Sequence, residues 1–221
     1  MRSHDGLKKP DAVFFDWDGT LVDTFCFLND AHSCVLMQLG FEPFKNDEFK
    51  GYFGQPREKL YRTIYKDKFE EAKALFEIYV MENNHKINPL EGAEALLVAL
   101  HGLDIPMGVV SNKKASFIQK ECENFGWTDF FLTYVGAGEA DEDKPSGAPL
   151  VLALERSGIS AKDKHIWYVG DTENDLACAK NAGCELVFIK GHDDTKRLMD
   201  LYKPCLSVDN CTHLREFLVA F

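Results

Sequence analysis

The sequence predicts an α/β protein: a mostly parallel sheet wrapped by helices, interrupted just after its first strand by an all-helical insertion. Three observations predict it. From Gly92 onward apolar runs alternate with segments of helical period, a glycine follows each helix, and strands vanish between Asp23 and about Pro89. Alternation of this kind implies parallel strands joined by helical crossovers. A glycine beyond a helix end is the usual left-handed terminator.

Residues 12–15, Ala-Val-Phe-Phe, form a short apolar run that reads as a buried strand. Residues 91–100 place Ala93, Leu96, Leu97 and Leu100 on one helical face, and Gly102 closes the pattern. Residues 105–110 are strand-like, and 114–125 are helical, with Ile118, Cys122 and Phe125 in phase before Gly126. Then come a strand at 132–135, a helix near 149–156 stopped by Gly158, and a strand at 165–169. A helix at 174–182 with Gly183 behind it and a strand at 185–189 follow. In the insertion, Phe25, Leu28, His32, Val35, Leu36 and Leu39 recur at helical spacing up to Gly40. Phe69, Ala72, Phe76, Tyr79 and Val80 do the same, and this aromatic stripe is expected to be core. Between the two, residues 41–56 are broken by Pro43, Gly51, Gly54 and Pro56 and read as turns with short helices. The expected division is a core of residues 1–22 and 90–221 and an insertion at 23–89. At roughly 65 residues the insertion is adequate for a small subdomain.

A chain of 221 residues holds one sizeable core, or one core plus a small insertion. Hydrophobic residues at 45% and charged residues at 28% describe an ordinary globular protein. The net charge of −11 argues against nucleic-acid or anionic-membrane partners. An anionic substrate would need a local positive pocket against that field. The seven cysteines (Cys26, Cys34, Cys122, Cys178, Cys184, Cys205 and Cys211) form no Cys-x-x-Cys pair, so neither a zinc site nor a redox motif is indicated. Most are expected to be small buried hydrophobes of a reducing compartment. Residues 1–10 offer no apolar stretch for a signal peptide, and no run is long enough to span a membrane. A cytoplasmic location is expected.

Ligands of parallel α/β sheets bind beyond the carboxyl ends of the strands, so the polar residues there carry the chemistry. Asp16 and Asp18 end the first strand. In extended chain, residues two apart point the same way, which aims both carboxylates at one spot. Gly19 then lets the backbone turn. Two carboxylates held together repel unless a cation or a shared proton offsets the cost. Calcium loops also contain Asp-x-Asp-Gly, but with Gly19 sixth, Phe14 stands first and Phe25 twelfth, and neither binds calcium. Ser111-Asn112 end the second strand of the core, Lys144-Pro145 lie after the third, and Gly170-Asp171 end the fourth, with Asp175 one helical turn later. Each has a plain alternative. The first pair can be an Asx-rich turn, Ser111, Asn112 and Asp171 can be helix caps, and Lys144 can be a solvated surface lysine. Their coincidence at four consecutive strand ends argues for a site.

In order and content these motifs resemble the haloacid dehalogenase-like hydrolase superfamily over nearly the whole chain. The matching pieces are Asp16-Trp17-Asp18-Gly19-Thr20-Leu21-Val22-Asp23, Val110-Ser111-Asn112, Lys144-Pro145, and Gly170-Asp171-Thr172-Glu173-Asn174-Asp175. An insertion directly after the first motif resembles the subgroup of phosphoglycolate phosphatases and β-phosphoglucomutases. The resemblance implies a Rossmann-like parallel sheet core with a helical cap inserted after the first strand. It implies Asp16 as a nucleophile that forms an aspartyl-phosphate. Asp18 would be the acid for the leaving alcohol and then the base for water. Phosphoryl transfer is mainly positioning and charge neutralisation, and a carboxylate that attacks phosphate needs a cation between them. Magnesium suits such an all-oxygen site. Asp16, the Asp18 backbone carbonyl and Asp171 are assigned as its ligands, with Asp175 and Thr20 supporting them. Ser111, Asn112 and Lys144 would hold the phosphate. Two departures from the family pattern stand out. Lys144-Pro145-Ser146-Gly147-Ala148-Pro149 carries extra spacing before the helix-starting proline, and Glu139, Asp141, Glu142 and Asp143 make the preceding loop acidic.

The expected activity is a magnesium-dependent phosphatase acting on a small phosphorylated metabolite, with a phosphoglycolate-like substrate first. Asp18 favours oxygen esters, because an alkoxide leaving group needs a proton. Phosphonate-cleaving and dehalogenating relatives lack this acid. A β-phosphoglucomutase-like phosphosugar mutase shares all four motifs and remains an alternative, as does an inactive scaffold that binds phosphorylated partners. The segment 54–60 lies where such caps present a specificity loop. Arg57 there can grip a second anionic group or can be an exposed helix-start arginine.

Overall fold

The computed structural model describes residues 7–162, 164–191 and 195–221. Residues 1–6, with which the expected core and the polar stretch 1–10 begin, lie outside them. Among the described residues the chain runs β1 (Ala12–Phe15), β2 (Val22–Asp23), α1 (Phe25–Gln38), α2 (Arg57–Tyr65), α3 (Phe69–Asn83), β3 (Asn88–Pro89), α4 (Ala93–Gly102) and β4 (Met107–Val110). It continues through α5 (Ala115–Phe125), β5 (Phe131–Val135), α6 (Ala148–Arg156), β6 (Ile166–Gly170), α7 (Glu173–Ala182), β7 (Glu185–Ile189), α8 (Thr195–Tyr202), β8 (Leu206–Val208) and α9 (Cys211–Val219). Six strands form one parallel sheet in the order β5-β4-β1-β6-β7-β8.

β1 is central, and every one of its residues is buried. Its period of two divides the core between the two faces of the sheet. Val13 and Phe15 join the layer containing Leu96, Leu97, Ile118 and Leu214 of α4, α5 and α9. Ala12 and Phe14 join Leu150, Ala153, Leu176 and Leu198 of α6, α7 and α8. A strand buried on both faces reads as a continuous apolar run. The edge strand β5 instead alternates, with Phe131, Thr133 and Val135 buried and Leu132 exposed. In register, Phe15 lies opposite Val109 of β4 and Val169 of β6. The carboxyl ends of these three strands therefore open side by side, where the strand order reverses.

The structure departs from the sequence expectations in four places. Strands do not vanish entirely between 23 and 89: β2 and β3 pair antiparallel, Val22 with Pro89 and Asp23 with Asn88, and close the two ends of the helical segment. Two-residue strands are too short to show a period. Residues 57–65, to which no element was assigned, form α2 because Leu60, Tyr61, Ile64 and Tyr65 bury one face. Beyond Ile189, where no element was assigned, lie α8, β8 and α9. The cysteines are not mostly buried. Cys122, Cys178 and Cys211 are, but Cys34 and Cys184 are half-buried and Cys26 and Cys205 exposed. The extra spacing after Lys144 is absorbed by a turn in which Ser146 Oγ accepts from Ala148 N, so that α6 starts with Pro149 in its first turn. Among the described residues no helix is long and apolar enough to cross a membrane.

Candidate active site

The loop after β1 is wound tightly. The Trp17 carbonyl accepts from the backbone N–H groups of Thr20, Leu21 and Val22, and Gly19 N–H donates to the Val22 carbonyl. Gly19 sits at φ +86°, and a Cβ there would lie 2.5 Å from Asp171 Oδ2, so both conformation and space exclude a side chain. Gly170 is required for space alone: its Cβ would approach that of Asp175 to 2.2 Å. These close approaches bring the β1 loop, the end of β6 and the first turn of α7 together.

Asp16, Asp171 and Asp175 are all buried and offer carboxylate oxygens within 4.8 Å of one another. Lys144, itself 3% exposed, answers them. Its Nζ donates to Asp16 Oδ1 at 2.7 Å, to Asp175 Oδ1 at 2.6 Å and to the Tyr168 hydroxyl at 3.1 Å, using all three protons. Asp175 is fully engaged, since its Oδ2 also accepts from Thr172 N and Oγ1 in the capping box of α7. Asp171 is different. Its Oδ1 accepts from Thr20 Oγ1 at 2.8 Å, but Oδ2 is buried with no hydrogen-bond partner. Burial, with Asp175 and Asp16 beside it, pushes the Asp171 carboxyl well above the usual range. Asp16 is raised to about 7, first by burial and then by Asp175, against the lowering effect of Lys144.

Three buried carboxylates against one lysine leave negative charge uncompensated, and one oxygen is orphaned among them. Such a group costs several kcal/mol unless a proton or cation meets it. The donor set is oxygen only, which fits a hard divalent ion such as magnesium.

Ser111 is buried at the end of β4, its Oγ accepting from Lys113 N. Asn112 braces the site: its Oδ1 accepts from Lys144 N, and its Nδ2 donates to the carbonyls of Lys144 and Gly54. Asn174 Nδ2 reaches the same Gly54 carbonyl at 2.9 Å. Asp18 and Asp16 line a pocket shared with the helical segment, whose Phe27, His32, Phe49, Phe53 and Phe76 form an aromatic wall. The stripe of His32 and Phe76, expected as core, is thus both buried and turned to the pocket. His32 stacks on Phe76 at 4.5 Å and meets the Tyr65 hydroxyl at 2.7 Å. Burial and the nearby Arg57 push its pKa down to about 3.

Arg57 opens α2 and lines the pocket, but it is not the exposed helix-start arginine of the alternative reading: its side chain is 17% exposed. It donates to Glu77 of α3 at 3.1 Å and lies 5.0 Å from the Tyr61 ring centroid. Lys114, from the loop before α5, pairs with the same Glu77 oxygen. Burial opposes ionisation of Glu77, but the hydrogen bonds from Lys114 and Arg57 outweigh it and hold the carboxyl below its ordinary pKa. Sequence reading missed Lys113, Lys114, Glu77 and Glu121, which carry no local motif. The acidic loop forms its own contacts: Glu139 accepts from Gly136 N and pairs with Arg156, and Asp143 accepts from Gly138 N.

A parallel α/β sheet with clustered aspartates and one lysine at its central strand ends defines a Rossmann-like protein with an acidic, all-oxygen site. The chain belongs to the haloacid dehalogenase-like hydrolase family, whose model matches residues 13–189. It is 33% identical over 188 residues to a phosphoglycolate phosphatase of Neisseria gonorrhoeae, covering 80% of this chain and 79% of that one. It is 28% identical over 199 residues to a phosphoglycolate phosphatase of Photobacterium profundum, covering 85% of each. In fold it matches a protein assigned as a haloacid dehalogenase-like hydrolase from Bacteroides fragilis. The TM-score is 0.85 at 21% identity, over 93% of this chain and 100% of the other.

Proposed function

We propose that this protein is a magnesium-dependent phosphatase that hydrolyses a small phosphorylated metabolite through an aspartyl-phosphate on Asp16, with a phosphoglycolate-like substrate first. The observation that carries the reading is Asp16 buried against Lys144 beside the orphaned oxygen of Asp171, at the mouth of a pocket that Asp18 also lines. The similarity to phosphoglycolate phosphatases supports the substrate class.

In the proposed reaction an Asp16 oxygen attacks phosphorus and the bond to the leaving oxygen breaks. The electron pair departs on that oxygen, and Asp18 gives it a proton. Asp18, now a carboxylate, takes a proton from water as the water oxygen attacks phosphorus and the bond to Asp16 breaks. Lys144 holds Asp16 in place and offsets charge, and Ser111 and Asn112 hold the phosphoryl group, Asn112 also fixing the Lys144 loop. Asp16, the Asp18 carbonyl and Asp171 would hold magnesium, which when bound neutralises phosphate charge. Asp175 and Thr20 support these groups. Residues 23–89, the helical segment closed off by β2 and β3, act as a cap, and Arg57 reads the part of the substrate that is not transferred.

The test is phosphate release from a panel of phosphoglycolate, sugar phosphates, nucleotides, pyrophosphate and 4-nitrophenyl phosphate, with magnesium, with a chelator and with calcium. Release that needs magnesium and is inhibited by calcium is expected. Full activity without a divalent ion sinks the metal site, and phosphate moved within a sugar without release identifies a mutase.

A further inference from the structure

Behind Asp18 lies a buried polar chain that the proposed reaction has not used. Lys113 Nζ donates to Asp18 Oδ1 at 3.0 Å and to Glu121 Oε2 at 2.8 Å, and Glu121 Oε2 also accepts from Trp17 Nε1 at 2.6 Å. Lys113 and Glu121 are 8% and 1% exposed in their side chains, and Trp17 is fully buried against Trp127 and Phe131. The chain of contacts closes a ring. Trp17 and Asp18 are neighbours in the β1 loop, Lys113 follows β4, and Glu121 stands on α5, two turns beyond Lys113.

We infer that Lys113, anchored by Glu121 and Trp17, is the positioning residue that fixes the Asp18 carboxyl for proton transfer to the leaving oxygen. The inference rests on the phosphatase reading above. A buried ion pair is a poor device for stability, because desolvation cancels most of its attraction and an apolar pair of equal volume does as well. What it supplies is direction. An ammonium has only hydrogens to give, so Lys113 must engage an unprotonated oxygen of Asp18. Oδ1 is thereby taken, and Oδ2, which has no hydrogen bond among the described residues, is left to carry the transferable proton into the pocket. Lys113 itself lines the pocket, and Glu121 holds its ammonium against Asp18 at that wall. Trp17, locked by its aromatic neighbours, fixes Glu121 in turn.

Leaving-group dependence tests this. A 4-nitrophenolate departs without a proton, whereas an alkoxide needs one, and kcat/KM reports the first phosphoryl transfer without the later hydrolysis. Lys113→Met should lower the ratio of kcat/KM for the best alkyl phosphate to that for 4-nitrophenyl phosphate by roughly tenfold or more, a part of the ~10²–10⁴-fold that a general acid supplies. Because Lys113→Met strands Glu121, the same ratio is measured on Lys113→Met/Glu121→Gln, which removes both charges and keeps an acceptor for Trp17. Equal losses on both esters in the double variant, or none on either, would overturn the inference while leaving the phosphatase standing. A wild-type protein that hydrolyses neither ester overturns both.

Discussion

Lys144 Nζ stands 2.7 Å from Asp16 Oδ1, and the two side chains are 3% and 7% exposed, so the candidate nucleophile is held by a nearly buried cation at the pocket wall. The same ammonium reaches Asp175 at 2.6 Å. One lysine from the loop before α6 thus ties the end of β1 to the start of α7, which makes its consequences for stability and for chemistry separable.

Asp16→Asn keeps the shape of the side chain and removes the attacking charge. Turnover of every phosphate ester should fall by more than a thousandfold on the order expected for loss of a nucleophile. The melting temperature should hold or rise, since a buried carboxylate crowded by Asp175 is neutralised. Activity within tenfold of wild type would refute the assignment.

Lys144→Met leaves Asp16 and Asp175 buried without their cation. Removing one partner of such a cluster costs about 3–5 kcal/mol. Urea denaturation of the metal-free protein at pH 8 measures it, and a loss below about 1 kcal/mol would show that water already reaches the carboxylates.

His32 sets an acid limit. Its pKa is lowered to about 3 in the folded protein against 6.5 when unfolded. The unfolded chain therefore binds a proton first as pH falls, and the stability that neutral His32 confers, complete above 6.5, drains away below it. Between pH 6.5 and 5 the loss is about 2 kcal/mol from this residue. His32→Phe, which keeps the stacking on Phe76, should flatten that part of the stability profile. An unchanged slope would mean that other groups set it.

Arg57→Ala tests the reading of the untransferred part of the substrate. It should reduce kcat/KM for a small ester that carries a second anionic group beside its phosphate by about 1.5–3 kcal/mol, the range for a hydrogen bond to a charged group. An aryl phosphate with an uncharged leaving group should hardly respond. Since Arg57 already holds Glu77, equal losses on both substrates would mean that it only braces α2 against α3.

The residues at the strand ends were legible from sequence because their signal is local. An apolar run of four residues followed by Asp-Trp-Asp-Gly states where the strand stops and its polar loop begins, and β1 does end at Phe15. Regular alternation likewise announced the parallel sheet and the glycine-capped helices α5 and α7. Tertiary structure alone decided the partnerships. Trp17 and Glu121 are 104 residues apart, Asp18 and Lys113 are 95 apart, and no spacing rule links such pairs. The orphaned oxygen of Asp171 and the saturated carboxylate of Asp175 look alike in sequence, both being aspartates near a helix start. Their difference arises from which groups the packed sheet brings within hydrogen-bonding distance, a three-dimensional property that a chain expresses only once its strands have found their order.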